Sequence, residues 1–160
     1  DGGALFTDND ELANMIRSLR IHGKGKDKYD NIRIGMNSRL DTIQAAILLE
    51  KLKAFPDELA NRNNAARQYN QELSNQFKVP NVPEGYTSSW AQYTILTEDR
   101  ESTIEHFKQQ GVPSMIYYRD CLHLQTAFEY LGYKVGDFPT AEYLSKQVLS
   151  LPMHGYMSSK

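Results

Sequence analysis

The chain has 160 residues, 40% hydrophobic and 24% charged, which is ordinary globular composition and enough for one domain with a core or a piece of a larger protein. A formal net charge of −2 gives no general field for a polyanion, so nucleic acid is not expected as a partner, and no apolar run is long enough to span a bilayer. The single Cys121 excludes an internal disulfide and a Cys-rich zinc module, and suits a reducing, cytoplasmic compartment, while the four histidines show no paired ligand spacing.

The sequence opens at Asp1-Gly2-Gly3 with neither an initiator Met nor a secretory signal, and closes on Ser158-Ser159-Lys160, so it is expected to be cut from something longer. Residues 4–7 read as a short buried strand. Asp8 and Glu11 then bracket a helix start, and Leu12, Met15, Ile16 and Leu19 recur on one face, predicting a helix that packs on a sheet and ends near His22-Gly23. A Gly/Lys/Asp-rich connection runs to Ile34, and connections of this length are usually functional or disordered. Its basic run, Lys24-Gly25-Lys26-Asp27-Lys28, reads as a solvated loop. It is no nucleotide-phosphate loop, because no Ser or Thr follows the lysine and no strand feeds it.

Residues 39–52 carry Leu40, Ile43, Ile47 and an apolar run over 45–49, predicting a helix buried on most sides, in a domain core or a subunit interface. Phe55-Pro56-Asp57 is expected to break it, and a narrow stripe of Leu59, Ala66, Tyr69, Leu73 and Phe77 then marks a linking helix over 55–78. Pro80, Pro83 and Gly85 look like a boundary. Beyond it the pattern predicts a strand over 89–97, a helix over 99–110 stopped by Gly111, a second strand over 114–118, a short helix over 124–132 and a last helix over 139–149. The sum is strand–helix–strand–helix, a second and smaller α/β unit.

The most informative stretch is Gly35-Met36-Asn37-Ser38-Arg39-Leu40-Asp41. Ser38 and Asp41 have capping-box spacing, and the preceding glycine lets the chain turn sharply into a helix. An amide and a guanidinium at a helix start make an anion site, whereas the plainer reading has Asn37 as a cap and Arg39 lying along the surface.

In order, Gly2-Gly3-Ala4-Leu5-Phe6-Thr7, Arg20-Ile21-His22-Gly23, Gly35 to Asp41 running into Ala45-Ala46, Tyr117-Tyr118, Leu122-His123-Leu124-Gln125 and Leu151-Pro152-Met153 span nearly the whole chain. Their combination resembles the DegT/DnrJ/EryC1/StrS family of sugar aminotransferases, which use pyridoxal phosphate (PLP). The resemblance implies an α/β fold of the PLP-dependent transferase, aspartate-aminotransferase-like class. Residues 1–54 would be the end of the large cofactor-binding domain, 55–78 a linking helix and 79–160 the small C-terminal domain. The Schiff-base lysine and the acidic partner of the pyridine nitrogen would lie upstream, so no catalytic residue and no metal ligand is assigned here. A solvated lysine such as Lys24, Lys26 or Lys28 stays protonated and is no substitute.

By the same resemblance the protein is a homodimer with shared active sites, whose 35–39 loop reaches the neighbouring subunit. Asn37 would touch the cofactor phosphate, and Arg39, Tyr117 and Tyr118 would line the site of a nucleotide-sugar substrate, with glutamate as amino donor, in polysaccharide or deoxyaminosugar biosynthesis. The family often reads His-Tyr-Pro-x-Pro where this chain has Tyr117-Tyr118-Arg119-Asp120-Cys121, which removes a group titrating near neutrality and places charges where prolines stiffened the turn. His22 is expected to serve the turn as a hydrogen-bonding group, and His123 and Gln125 to cap or brace the helix that follows them. A non-enzymatic dimerising or regulatory remnant of such an enzyme is the alternative.

Overall fold

A computed structural model describes residues 3–27 and 29–157. The chain divides into two compact units, Asp1–Lys53 and Ala54–Lys160, and the boundary falls inside a helix. Gly2, Lys28 and the tail at 158–160 lie outside the described residues.

The first unit begins with an irregular segment. Residues 4–7 form no strand, and Leu5 and Phe6 are 76% and 93% exposed, so the apolar run found no facing layer to pair with. Helix α1 (Asp10–Leu19) follows, capped by Asn9, whose side chain accepts from the Leu12 N–H at 2.9 Å, with Asp10 and Glu11 in the first turn where the helix dipole favours negative charge. Among the described residues no strand lies in this unit, so α1 packs on no sheet there.

Helix α2 (Thr42–Leu73) corrects two expectations. It begins at Thr42, not Arg39, and the Ser38–Asp41 capping box does not form. The Asp41 carbonyl instead accepts the Ala45 N–H at 2.9 Å, while the Ser38 backbone is engaged by Arg20. Nor does Pro56 break the helix. Proline removes one intrahelical bond, to the Leu52 carbonyl, and Leu52 is exposed so that water can take that bond up. What was expected as a separate linking helix is the C-terminal part of α2, ending at Leu73. Leu40, Ile43, Ile47, Leu48, Leu49 and Leu52 are all exposed within this chain, so they form no core of its own, and of the two expected settings this leaves the subunit interface.

The second unit holds the core. Strand β1 (Tyr93–Leu96) pairs antiparallel with β2 (Val148–Leu151), in the register Tyr93–Leu151, Thr94–Ser150 and Ile95–Leu149. Tyr93 and Ile95 point to one side by the two-residue period and are fully buried with Leu149, joined by Ala66, Trp90 and Leu151. Single-residue bridges widen the pair, Lys78 against Leu96 on one edge and Met115 against Ser150 on the other. The strand expected at 114–118 is reduced to that last bridge, since only Met115 exchanges backbone bonds, at 3.0 and 2.7 Å. β2 was read as the end of a helix, because a short apolar run such as 148–151 fits either period.

Helix α3 (Arg100–Gln109) stands as predicted. Asp99 caps its start by accepting from the Ser102 N–H, Ile104 and Phe107 pack on the core, and Gly111 takes the left-handed turn at φ +72 that closes it. Residues 122–131 form two 3₁₀ turns, Leu122–Leu124 and Thr126–Leu131, instead of an α-helix. Helix α4 (Pro139–Gln147) stops where β2 begins. The polar ends of the core aromatics are all satisfied. Tyr93 donates to Asn70 Oδ1 at 2.5 Å, Trp90 Nε1 to Asn63 Oδ1 at 3.0 Å and Tyr69 to the Pro152 carbonyl at 3.0 Å.

Candidate functional site

Two pairs of residues singled out in the sequence are held in different units, and each is described on its own terms. Asn37 and Arg39 are placed by the turn that follows α1. There the chain reverses at His22 and Gly23, with φ of +59 and +75, and returns over 33–38. His22 N–H donates to the Met36 carbonyl, Met36 N–H to the Leu19 carbonyl and Ser38 N–H to the Arg20 carbonyl, all at 2.9 to 3.0 Å. Arg20 Nε adds a bond to the Ser38 carbonyl at 3.2 Å. The two segments lie so close that a Cβ on Gly23 would collide with the Arg33 carbonyl, and one on Gly35 with the backbone of His22 and Gly23. This is why both glycines are needed. His22 serves the turn through its backbone.

Asn37 therefore sits in an antiparallel bridge with Ile21, its flanks fixed and its side chain exposed. Its Oδ1 accepts from Arg39 Nε at 2.9 Å, which aligns the two groups. That bond occupies one lone pair of the amide oxygen and leaves the Asn37 NH₂ and the outer guanidinium nitrogens without a protein partner among the described residues. The exposed remainder is a patch dominated by donors, fitted to oxygens of a phosphate, diphosphate or carboxylate. The start of α2 lies beyond both residues, so the donors are side chains and not the helix terminus that the sequence led us to expect.

Tyr117 and Tyr118 follow Ile116, which packs against the core, and Met115, which is bridged to β2. Their peptide bond is cis, and their rings meet edge-on with centroids 5.5 Å apart. They are 38% and 72% exposed. Arg119 and Asp120 pair with each other at 3.0 Å on the surface.

Sequence reasoning gave no role to Glu142. Its carboxylate accepts from the Gly136 N–H at 2.8 and 3.0 Å, from the Phe138 N–H at 3.3 Å and meets His123 Nε2 at 3.1 Å, with the His123 and Glu142 side chains only 9% and 13% exposed. The Gly136 N–H foremost, then that of Phe138 and the His123 ring, hold this carboxyl below the usual carboxylate range against the opposing effect of burial. The signal was Pro139 followed by an acid within the first helical turn, the spacing at which a carboxylate reaches back to the N–H groups of a helix start. His123 thus braces α4, and not the turn directly after it. Among the described residues no cluster of potential ligands could hold a metal ion, and no helix is long and apolar enough to cross a membrane.

The model of the DegT/DnrJ/EryC1/StrS aminotransferase family matches residues 1–160. The chain belongs to this family. It is 41% identical over 160 residues to the UDP-2-acetamido-2-deoxy-3-oxo-D-glucuronate aminotransferase of Pseudomonas aeruginosa, covering 99% of the chain and 44% of that protein. A crystal structure of a DegT DnrJ EryC1 StrS aminotransferase from Brucella abortus superposes with a TM-score of 0.89 at 50% identity, over 96% of this chain and 41% of that one. DesV of S. venezuelae, solved in complex with a ketimine intermediate, gives a TM-score of 0.89 at 30% identity, over 96% and 42%. The α/β, PLP-dependent transferase fold expected from the sequence is thereby borne out. The chain spans less than half the length of these family members.

Proposed function

We propose that the protein containing this chain is a PLP-dependent aminotransferase that moves an amino group from glutamate onto the keto group of a nucleotide-sugar, in the making of polysaccharide or deoxyaminosugars. The observation that carries the reading is the donor-rich patch of Asn37 and Arg39, in a chain whose relatives are named as aminotransferases of nucleotide-linked sugars. That membership also favours an enzyme over a dimerising remnant.

The residues present fit one end of the cofactor. The Asn37 NH₂ can donate to a phosphate oxygen without adding charge, and Arg39, oriented by the Asn37 carbonyl oxygen, can grip a diphosphate or carboxylate at two points. Lys24 and Lys26 are exposed loop side chains, so they offer no enclosed amine for covalent attachment. When bound, PLP supplies an electron-withdrawing ring that stabilises negative charge at the amino-bearing carbon. This chain's residues bind and orient. Tyr117 and Tyr118 present two hydroxyls and two ring faces to a sugar or base, and residues 1–54 and 79–160 contribute to the large and small domains of the parent enzyme.

The homodimer in which the 35–39 loop serves the neighbouring subunit's site, and a cytoplasmic location suited to the free Cys121, belong to the same reading. The test is an assay of the complete protein for 2-oxoglutarate released from glutamate with UDP- and dTDP-linked keto-sugars. Asn37→Asp is expected to weaken PLP binding at least about tenfold by setting a carboxylate against the phosphate, and Arg39→Gln to raise the nucleotide-sugar KM by a similar factor. Failure of every keto-sugar nucleotide to release 2-oxoglutarate would overturn the proposal. The 160 residues alone are expected to form no borohydride-fixed adduct with PLP at a defined lysine.

A further inference from the structure

The segment bearing Tyr117 and Tyr118 is anchored at both ends to one continuous piece of chain, α4 with β2. At its near end, Met115 exchanges backbone bonds with Ser150 at 3.0 and 2.7 Å. At its far end, His123 Nε2 meets Glu142 Oε1 at 3.1 Å, and the His123 ring lies 4.8 Å from that of Phe138, which in turn meets the Tyr133 ring edge-on at 5.1 Å. Between the anchors, residues 116–122 make few bonds of their own. The Ile116 side chain rests on the core, the Leu124 N–H returns to the Cys121 carbonyl, and Arg119 pairs with its neighbour Asp120.

Glu142 is the centre of the far anchor. One carboxylate holds the Gly136 and Phe138 N–H groups, which shape the turn into α4, and the His123 ring, which ends the tyrosine-bearing segment. Gly136, at φ +98, allows that turn. The pair is largely withdrawn from water, so its bonds are stronger than a surface pair's, and an uncompensated partner would be costly.

We infer that Glu142 is a positioning residue, which through His123 fixes the segment carrying Tyr117 and Tyr118 and so sets the geometry with which those tyrosines meet the sugar-nucleotide. The second half of this inference rests on the function proposed above, and the first does not. Neither Glu142 nor His123 touches the substrate in this account. Their effect is transmitted through residues 116–122, which must span a fixed distance between two anchors on the same element.

The test uses the complete protein with Glu142→Ala, Glu142→Gln and His123→Asn, followed by amide hydrogen exchange and by steady-state kinetics. Glu142→Ala is expected to speed exchange at the bonded amides of Leu124 and Gln125 and over 133–138 by about tenfold or more, as befits lost bonds to a charged acceptor, while β1 and β2 keep their protection. Glu142→Gln, which keeps an acceptor for both N–H groups, is expected to restore most of the protection at 133–138. In turnover, Glu142→Ala and His123→Asn are expected to raise the nucleotide-sugar KM by about tenfold with the glutamate half-reaction unchanged, a split that general destabilisation would not give. Unchanged exchange at Leu124 and Gln125 in Glu142→Ala and His123→Asn alike would overturn the anchor. Loosened exchange with an unchanged KM would overturn its role in substrate positioning. A wild-type protein that turns over no keto-sugar nucleotide would sink the functional reading instead, and the anchor then stands or falls on exchange alone.

Discussion

In the first unit, Gly23 alone is buried among the described residues, and the contacts that define its shape are backbone bonds between 19–24 and 30–38. In the second, Tyr93, Ile95 and Leu149 are wholly withdrawn from water in a buried cluster with Ala66, Trp90 and Leu151, and nine further apolar side chains pack around that cluster. One unit is shaped by where glycines allow two backbones to touch, and the other by how much apolar surface is hidden. The difference teaches that the donor patch at Asn37 and Arg39 is placed by hydrogen-bond geometry, with little hydrophobic ballast of its own. The side chains of Ile43, Ile47 and Leu52, which would be that ballast, face outward in this chain.

The contrast breaks most visibly under truncation of the two apolar sets. In the 160-residue chain, Leu149→Ala should cost about 3 kcal/mol of unfolding free energy by urea titration, through lost transfer energy and a residual cavity. Ile47→Ala, more than half exposed, should stay within about 0.5 kcal/mol. Equal losses would mean that the first unit hides more surface than its exposure indicates.

The next largest effect separates the units by mechanism. Gly35→Ala adds one methyl where the backbones of His22 and Gly23 already touch, so the 20–24 and 33–38 segments must part, at a cost of about 2 kcal/mol. Faster tryptic cleavage between Arg20 and Arg39, with the cleavage rate after Lys78 unchanged, is the expected readout. The smallest effect sharpens the picture of the second unit. Burial, and then the neighbouring Tyr69, push the Tyr93 hydroxyl up to about 12. Its folded value lies above its unfolded one, so the neutral phenol's contribution is whole below pH 10 and is lost as pH rises from there through about 12. A phenolate absorbance titration should show Tyr93, and with it Tyr69, which burial also raises, ionising together with unfolding.

Caps and stops were legible because they act locally. Asp99 and Gly111 carry their meaning in one or two residues, and the structure has them in those roles, while at α1 Glu11 lies in the first turn but Asn9, not Asp8, supplies the cap. Elements that depend on a partner layer were not. Residues 4–7 and 114–118 have strand composition, yet a strand needs a neighbour, and only Met115 has one. Val148 to Leu151 could be helix or strand until β1 was there to pair with, and Pro56 reads as a breaker unless the exposure of the Leu52 carbonyl's residue is known. Of the site, the Asn37–Arg39 pairing follows from two residues of spacing, whereas the Glu142–His123 contact joins positions nineteen apart across two turns. No local pattern announces such a contact.

Trp90 is the one tryptophan of the sequence, 9% exposed, its indole donating to Asn63 and its ring 5.7 Å from that of Tyr93. Tryptophan emission from these 160 residues therefore comes from a single sheltered indole in the later half, and a red shift on adding denaturant dates the loss of that half alone. The loop with Asn37 and Arg39 is optically silent in such an experiment, and a lag between fluorescence and far-ultraviolet dichroism would expose any separate melting of the two halves.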